Sequence, residues 1–241
     1  TQGVSSAASD VYKRQALVVS KIYFYLGEFD DALTFALGAE SLFDVNQRSE
    51  YVETVVSKAI DQYVVQRNTP ESPPLSPRFT SIIDKMIARC IESEEYHQVL
   101  GIALESRRLD VIEQVFKTTQ DKALLSYVLE MVIRVLNVPE VRRQVLQLLV
   151  QLFQSLDEPD YFSTAQCYVY LNEPQPVSEM LRSLVRCAAK DEHAALVAYQ
   201  TAFDLVEGAT QEFLHHVRAD IEKVSEDCLL YTSDAADDTP C

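Results

Sequence analysis

Apolar residues recur along this chain with the period of an α-helix. The clearest stripe has apolar residues at positions i, i+4, i+7, i+8, i+11 and i+12, and consists of Val141, Val145, Leu148, Leu149, Leu152 and Phe153. Residues at these positions lie on one face of an α-helix. A second stripe follows Ser49, a predicted N-cap, and consists of Tyr51, Val52, Val55, Val56, Ala59, Ile60 and Tyr63. No run alternates β-branched residues as a strand does, so the sequence predicts an all-α fold without a sheet.

Twelve helices are predicted, and the short breaks between them include turns marked by Gly27, Pro139, Pro159 and Pro174. Their approximate limits are residues 16–26, 29–42, 50–66, 78–92, 94–106, 109–117, 121–136, 139–155, 160–171, 176–189, 191–207 and 210–226. Helices joined by such short turns pack antiparallel to their neighbours. The segment Leu124–Leu136 is apolar nearly all round, which indicates burial between two layers. These patterns predict an irregular αα-hairpin solenoid, stacked in the right-handed sense of tetratricopeptide repeats.

One predicted hairpin carries a repeat-like signature. Leu26–Ala32, with Ala36 and Ala39 after it, resembles a tetratricopeptide turn, in which glycine permits the turn and small residues let two helices approach closely. Glu94–Val99, with Ala103 after it, is a looser echo of the same pattern. No fixed period runs through the chain, so the predicted stack is irregular.

The segment 68–77 interrupts the helical pattern with four prolines in ten residues. Proline removes backbone donors and favours extended conformations, so we expect an exposed surface loop here. Thr69, Ser72 and Ser76 each precede a proline and could be recognised by a proline-directed kinase. An unmodified loop is the simpler interpretation of the same residues.

Both ends of the chain resemble translated sequencing-adapter DNA. Ser5–Gln15 corresponds to one strand of a transposase adapter, and Cys228–Asp238 corresponds to its reverse complement shifted by one base. Such segments are excluded from reasoning about the fold. We therefore expect non-native tails at 1–15 and 228–241, a helical-repeat rod at 16–227, and a native stretch that belongs to a longer protein.

Charge argues against nucleic acid as a partner. The net charge is −16, whereas a nucleic-acid binder normally presents a basic stripe to the phosphate backbone. The basic doublets Arg107–Arg108 and Arg142–Arg143 are interpreted as solvated helix faces rather than phosphate-binding groups. No apolar run approaches the roughly 18 residues that cross a bilayer, so no membrane partner is expected.

Cysteine usage favours a reducing compartment. Outside the predicted tails the chain has Cys90, Cys167 and Cys187, an odd number without a Cys-x-x-Cys pair. A disulfide framework and a cysteine metal site are therefore not expected. Together with the charge, this predicts a location in the cytoplasm and nucleus.

No residue constellation for catalysis, cofactor binding or metal binding is found. The histidines His97, His193, His215 and His216 are scattered, and neighbouring residues such as the last two point about 100° apart on a helix. Glu212 and His216 have i, i+4 spacing, but zinc requires at least three protein ligands. The glycines are isolated, so no phosphate-binding loop is present. We expect no enzyme activity and no small-molecule substrate.

Several segments resemble, in order, the N-terminal helical region of the 26S proteasome non-ATPase regulatory subunit 1 family. They are Ala16–Lys21, Tyr25–Gly27, Ser49–Thr54, Gly101–Val111 and Ala198–Leu205. The resemblance implies a non-catalytic scaffold segment of the regulatory particle that contacts other regulatory-particle subunits. It would support assembly and ubiquitin-dependent protein degradation. The family's later repeat ring and C-terminal tail are not in this sequence, so contacts of those parts are not assigned here.

A peptide-binding helical-repeat adaptor is the alternative function. An adaptor that holds acidic C-terminal tails in a concave groove would need Lys, Arg and Asn along one face. Basic residues here are sparse and dispersed, which favours the scaffold.

Overall fold

The computed structural model describes the backbone of residues 2–69, 76–188 and 192–234, and side chains within 10–69, 76–77, 79–187 and 193–223. Within these ranges every regular element is helical and no β-strand is present. The helices are α1 (Gln2–Leu26), α2 (Phe29–Ala39), α3 (Glu50–Asn68), α4 (Pro77–Glu92), α5 (Tyr96–Glu105), α6 (Leu109–Thr119), α7 (Lys122–Arg134), α8 (Pro139–Gln154), α9 (Tyr161–Leu171), α10 (Pro174–Ala188), α11 (Glu192–Gly208) and α12 (Gln211–Asp234). A 3-10 turn at Glu40–Leu42 extends α2. The predicted all-α class is confirmed.

Local caps explain why the internal helix limits were predictable. Ser49 caps α3 by accepting a hydrogen bond from the backbone N–H of Val52 at 3.4 Å, as expected of an N-cap serine. Pro139 and Pro174 each occupy the first residue of a helix, where the missing N–H of proline has no consequence. The predicted stripe of α8 is confirmed as a core face, with Leu148 its one half-buried member.

The outer limits of the first and last helices differ from the prediction. α1 begins at Gln2 rather than at 16, and α12 ends at Asp234 rather than at 226. The Ser- and Ala-rich start contains good helix formers and continues the register of α1. Val11 and Tyr12 are exposed there, while Lys13 forms an ion pair with Glu40 at 2.8 Å. The non-native origin of residues 1–15 and 228–241 stays a prediction, because helix limits do not reveal where a segment comes from.

The chain forms two compact units, residues 1–115 and 116–241. In the first unit α1 packs on α2, α2 on α3, and α3 on α4 and α5. The predicted close approach of small residues is confirmed, since Ala32, Ala36 and Ala39 are fully buried. The buried hydroxyl of Ser20 on α1 lies 2.5 Å from the Ala32 carbonyl oxygen and 2.7 Å from the Tyr51 hydroxyl, which joins three helices.

The glycine of the repeat-like signature closes a Schellman turn. Gly27 has φ +80°, and the N–H groups of Gly27 and Glu28 donate to the carbonyls of Phe24 and Tyr23. This pairing is the Schellman pattern that satisfies the last carbonyls of a helix. The predicted echo at Glu94 has the same two hydrogen bonds with φ +61°. Arg107 and Asn172 repeat the arrangement, which the sequence did not reveal.

The second unit contains the apolar stripe of α8. α7 packs on α8, α8 on α9, and α10 contacts α9, α11 and α12. Leu149 and Phe153 of α8 are completely buried. A further core cluster joins α9 to α12 and consists of Ala165, Val177, Leu181, Leu205, Phe213 and Val217.

The helices on either side of the proline-rich segment pack together, as predicted. α3 contacts α4, and the rings of Tyr63 and Phe79 lie 6.1 Å apart. The Ser76 hydroxyl caps α4 by accepting from the N–H of Phe79 at 3.2 Å. Thr69 and Ser76 are exposed, while residues 70–75, including Ser72, lie outside the described residues.

Candidate interaction surfaces

The four histidines lie on three different helices. All are exposed, and they lie on α5, α11 and α12. The Nδ1 atom of His216 lies 2.8 Å from the backbone carbonyl oxygen of Glu212, which ties this ring to the turn before it. In the described part of the chain no group of three His, Cys, Asp or Glu side chains is arranged to hold a metal ion.

Cys90, Cys167 and Cys187 are free thiols and occupy different environments. Cys90 and Cys167 are buried, and Cys187 is exposed. Burial raises the pKa of Cys167 to about 12, and the nearby Asp160 carboxylate adds to the effect. Burial is also the main cause of the raised pKa of Cys90, with a contribution from Glu95. Because the thiolate is the nucleophile, both buried cysteines behave as core residues.

Arg108 is not the solvated side chain that the sequence suggested. Its guanidinium group contacts both oxygens of Asp110, at 2.6 to 3.0 Å, and Asp84 Oδ1 at 2.9 Å, and donates to the Tyr63 hydroxyl at 3.3 Å. Hydrogen bonds from this guanidinium are the largest cause of the lowered pKa of Asp110. The sequence interpretation was wrong because these partners lie on α3, α4 and α6.

Arg142 of α8 is bound to the loop that precedes this helix. It donates twice to the carbonyl oxygen of Leu136, at 3.0 and 2.6 Å, two residues after the end of α7. Arg67 and Asn68 bind the C-terminal end of α5, donating to the carbonyls of Ser106 and Glu105. Cations suit helix C-termini because the carbonyl dipoles are negative there. Arg67 and Arg142 therefore make intramolecular contacts. The Nη2 atom of Arg143 lies 3.9 Å from Glu173 Oε1.

Helix α11 has apolar residues on two faces. Ala198, Thr201 and Leu205 are buried against the second unit. A separate outer stripe is exposed and consists of Leu196, Tyr199, Phe203 and Val206. At about 100° per residue this stripe spans an arc of about 80° on the opposite side of the helix. A helix that is apolar on both sides is usually covered on both sides.

Helix α1 has the same two-faced character. Ala16 and Ser20 are buried within the first unit, whereas Val18, Ile22 and Tyr25 are exposed on the other side of the helix. Exposed apolar faces of this kind occur where a stack of helical repeats lacks a capping neighbour. Each unit therefore presents an apolar helix face suited to protein contact.

A groove of about 1400 Å³ lies within the second unit, bordered by α7, α9, α10 and α11. Phe162, Gln166 and Tyr170 form its row on α9, at i, i+4 and i+8. These positions share one side of a helix and span about 12 Å. Both aromatic rings are about half exposed. Leu129, Ile133 and Val197 supply apolar side chains from α7 and α11.

Ion pairs leave the groove with an excess of negative charge. Lys122 lies 3.0 Å from Asp160, and Arg134 lies 2.8 Å from Glu130. Burial opposes ionisation of Asp160, but hydrogen bonds from Ser163 and Lys122 outweigh it and lower the pKa of Asp160. Asp157 and Glu158, in the turn before α9, are exposed, and no ion pair or hydrogen bond to their carboxylates is found within the described residues. Among the described residues that line the groove, Lys122 and Arg134 are thus each paired with a carboxylate, whereas Asp157 and Glu158 at its edge are not paired with a cation.

Comparison with known proteins gives one consistent family. Residues 5–234 match the family of the 26S proteasome subunit RPN2, N-terminal domain. Relatives include 26S proteasome non-ATPase regulatory subunit 1 homolog A of Arabidopsis thaliana, 44% identical over 216 residues, the non-ATPase regulatory subunit 1 of Drosophila melanogaster, 42% over 211, and the regulatory subunit rpn2 of Schizosaccharomyces pombe, 39% over 206.

These alignments cover most of this chain and little of each relative. They include 87, 85 and 84% of the chain, but 21, 20 and 21% of the respective relatives. The chain thus spans about a fifth of the length of the curated relatives it matches. Among the described helices, none is both long enough and apolar enough to cross a bilayer.

Proposed function

The chain belongs to the family of the 26S proteasome subunit RPN2, N-terminal domain, and we propose that it is a non-catalytic scaffold segment of the proteasome regulatory particle. The observation that carries this proposal is the family match through nearly all of the chain. In this role the segment holds neighbouring regulatory-particle subunits in place, and so supports assembly of the particle and ubiquitin-dependent protein degradation.

The surfaces of the chain support a role in protein contact. Exposed apolar residues on α1 and α11 are arranged in stripes rather than scattered singly, and contiguous apolar patches mark interaction sites. Three of the four arginines in the basic doublets contact other groups of this chain. Arg108 and Arg143 each contact a carboxylate, and Arg142 contacts a backbone carbonyl. This is consistent with proteins, rather than nucleic acid, as partners.

The proposed location is the cytoplasm and nucleus. Cys90 and Cys167 are buried free thiols, and cysteines in reducing compartments remain in this state. The relatives are named as regulatory, non-ATPase subunits, which supports a role without catalysis, cofactor or small-molecule substrate.

Segment replacement in fission yeast tests the scaffold proposal. The matching segment of rpn2 would be replaced by residues 16–226 of this chain in cells depleted of their own rpn2. We expect the chimera to enter complete 26S particles on native gels and to restore degradation of a ubiquitinated reporter. A chimera carrying Leu149→Asp, which places a charge in the core, is the matched control and should not assemble.

Two results would contradict the proposal. One is a folded chimera, stable in extracts, that stays outside regulatory particles. The other is assembly that proceeds equally well when the segment is deleted, because a scaffold segment cannot be dispensable for the contacts it makes.

A further inference from the structure

The groove of the second unit is larger than a typical small-molecule pocket and is bordered by helices. Its volume of about 1400 Å³ exceeds the roughly 300–1,000 Å³ of small-molecule pockets. Its walls are helices, with the Phe162–Gln166–Tyr170 row on α9 facing apolar side chains of α7 and α11. Grooves between helices accept the apolar face of an amphipathic helix, which inserts anchors at i, i+3, i+4 and i+7.

The charged residues of the groove determine which charge its partner helix should carry. Lys122 and Arg134 are each paired with a carboxylate of the groove. Asp157 and Glu158 are exposed at its edge with no ion pair found in the described part of the chain. α9 has no charged residue and α11 has no Lys or Arg, while Arg182 and Arg186 of α10 are not among the side chains that line the groove. The described lining residues include two cations and four carboxylates, and this net negative charge favours a basic partner.

We propose that this groove binds an amphipathic helix of another regulatory-particle subunit, one that carries an apolar stripe flanked by Lys or Arg. The inference rests on the proposed scaffold function and names the chemistry of the partner. Phe162 and Tyr170 are the aromatic anchors, because half-exposed rings in a concave site lose the most water on binding. Asp157 and Glu158 pair with the basic flank.

Two other occupants fit less well. An acidic C-terminal tail, which a peptide-binding adaptor could hold, would be repelled by the unpaired carboxylates. A second copy of this chain would bring together two molecules of net charge −16, and like charges oppose association.

A peptide titration tests the proposal with the whole chain. The probe is a fluorescent synthetic helix of about 18 residues, roughly five turns, with a Leu and Phe stripe flanked by Lys. An otherwise identical peptide with Glu in place of Lys and a scrambled Lys peptide are the comparisons. Fluorescence anisotropy should show saturable binding of the Lys helix. Its affinity should fall between about 0.1 M and 0.5 M salt, because screening weakens surface charge pairs.

Substitutions inside and outside the groove show whether the peptide binds there or elsewhere on the surface. Phe162→Ala should weaken binding about tenfold or more. Phe29→Ala, which removes a partly exposed phenylalanine from the start of α2 in the first unit, should leave the affinity unchanged. Asp157→Asn combined with Glu158→Gln should reduce both the affinity and its salt dependence. Glu53→Gln combined with Asp61→Asn on α3 is the matched charge control. Circular dichroism confirms that each variant is folded.

Several outcomes would overturn the proposal. They are equal or tighter binding of the Glu helix, equal binding of the scrambled peptide, equal losses from Phe29→Ala and Phe162→Ala, and a dimer in light scattering that Phe162→Ala dissociates. Failure of the groove is distinguishable from failure of the scaffold function. A chimera that assembles while the Lys helix does not bind removes only the groove proposal, whereas binding without assembly removes the scaffold proposal.

Discussion

Single residues in left-handed conformations limit the stability of several turns. Glu94 and Arg107 occupy positions with φ +61° and +56°, where Gly27 has φ +80° in the equivalent turn. A left-handed conformation costs a non-glycine residue roughly 1–2 kcal/mol. The sequence predicted the turn at Glu94 from its resemblance to the Gly27 turn. It predicted a break at residues 107–108 but not the left-handed conformation of Arg107, because no glycine or asparagine marks it.

We expect Glu94→Gly to stabilise the chain and Gly27→Ala to destabilise it. The gain should be about 0.5–1 kcal/mol, since glycine relieves the backbone but costs more entropy on folding. The loss should be at least about 1 kcal/mol, and it is a backbone effect, because a Cβ at Gly27 would meet no atom within 4 Å. Urea unfolding measures both. A destabilising Glu94→Gly would show that the Glu94 side chain matters more than its φ angle.

Asp160 should make the stability of the chain depend on pH. Its carboxylate caps α9 through Ser163 and pairs with Lys122, and its pKa is lowered in the folded state. A lowered folded pKa contributes stability above the unfolded value of about 3.9 and loses it as the pH falls through the folded value. The unfolding free energies of the wild type and Asp160→Asn should therefore differ most near pH 7 and begin to converge as the pH falls below about 4.

Asp157→Asn is the control for this pH dependence, because it removes an exposed carboxylate from the same turn. Its unfolding free energy should follow that of the wild type at every pH. If Asp160→Asn instead differed from the wild type by the same amount at pH 3 and pH 7, the hydrogen bonds of Asp160 would act independently of its charge.

At the scale of elements, most helices could be predicted because their periodicity and caps are local. Ser49 and Pro139 mark helix starts directly, whereas α10 begins at Pro174 rather than at the predicted residue 176. The contacts of Arg108 with Tyr63 and Asp84 could not be predicted, since a long side chain can reach residues that are distant in sequence. The groove was missed for the same reason: its rows on α7, α9 and α11 meet only after packing.

The α8 stripe provides the sharpest test of packing. Leu149→Ala should cost about 2–5 kcal/mol, because Leu149 is fully buried and truncation leaves a cavity. Leu152→Ala should fall in the same range, as Leu152 is also buried. The neighbouring Leu148 is half-buried, so Leu148→Ala should cost clearly less. Urea unfolding of the three variants gives the order, and equal costs for Leu148 and Leu149 would contradict the assigned face.

The proline-rich segment should be the first site of proteolysis. α3 and α4 pack on each other on either side of it, and closing a longer loop costs little additional free energy. Limited digestion with a broad-specificity protease should therefore cut within 68–77 first and leave helicity intact. Earlier cleavage elsewhere, or resistance of this segment, would count against the predicted exposed loop.

At the scale of the molecule, the family and the helical class were both accessible from the sequence. Long matching blocks such as Gly101–Val111 are specific to a family, whereas a single tetratricopeptide-like turn is not. The two compact units were not predicted, because their boundary falls inside α6 rather than in a linker. The right-handed sense of stacking stays a prediction, as do the non-native tails.

Stability of the whole chain should rest on helix packing alone, without a bound metal. The buried residues of both units are mostly aliphatic, and apolar burial is the main stabilising contribution to folding. Thermal unfolding followed by circular dichroism should therefore give the same Tm with and without a chelator, and His216→Ala should shift it little because His216 is exposed. Leu149→Ala is the positive control, because it should lower the Tm in the same assay. A Tm that fell on chelation, or a hydrolase activity lost in His216→Ala, would replace the scaffold interpretation with a metal-dependent function.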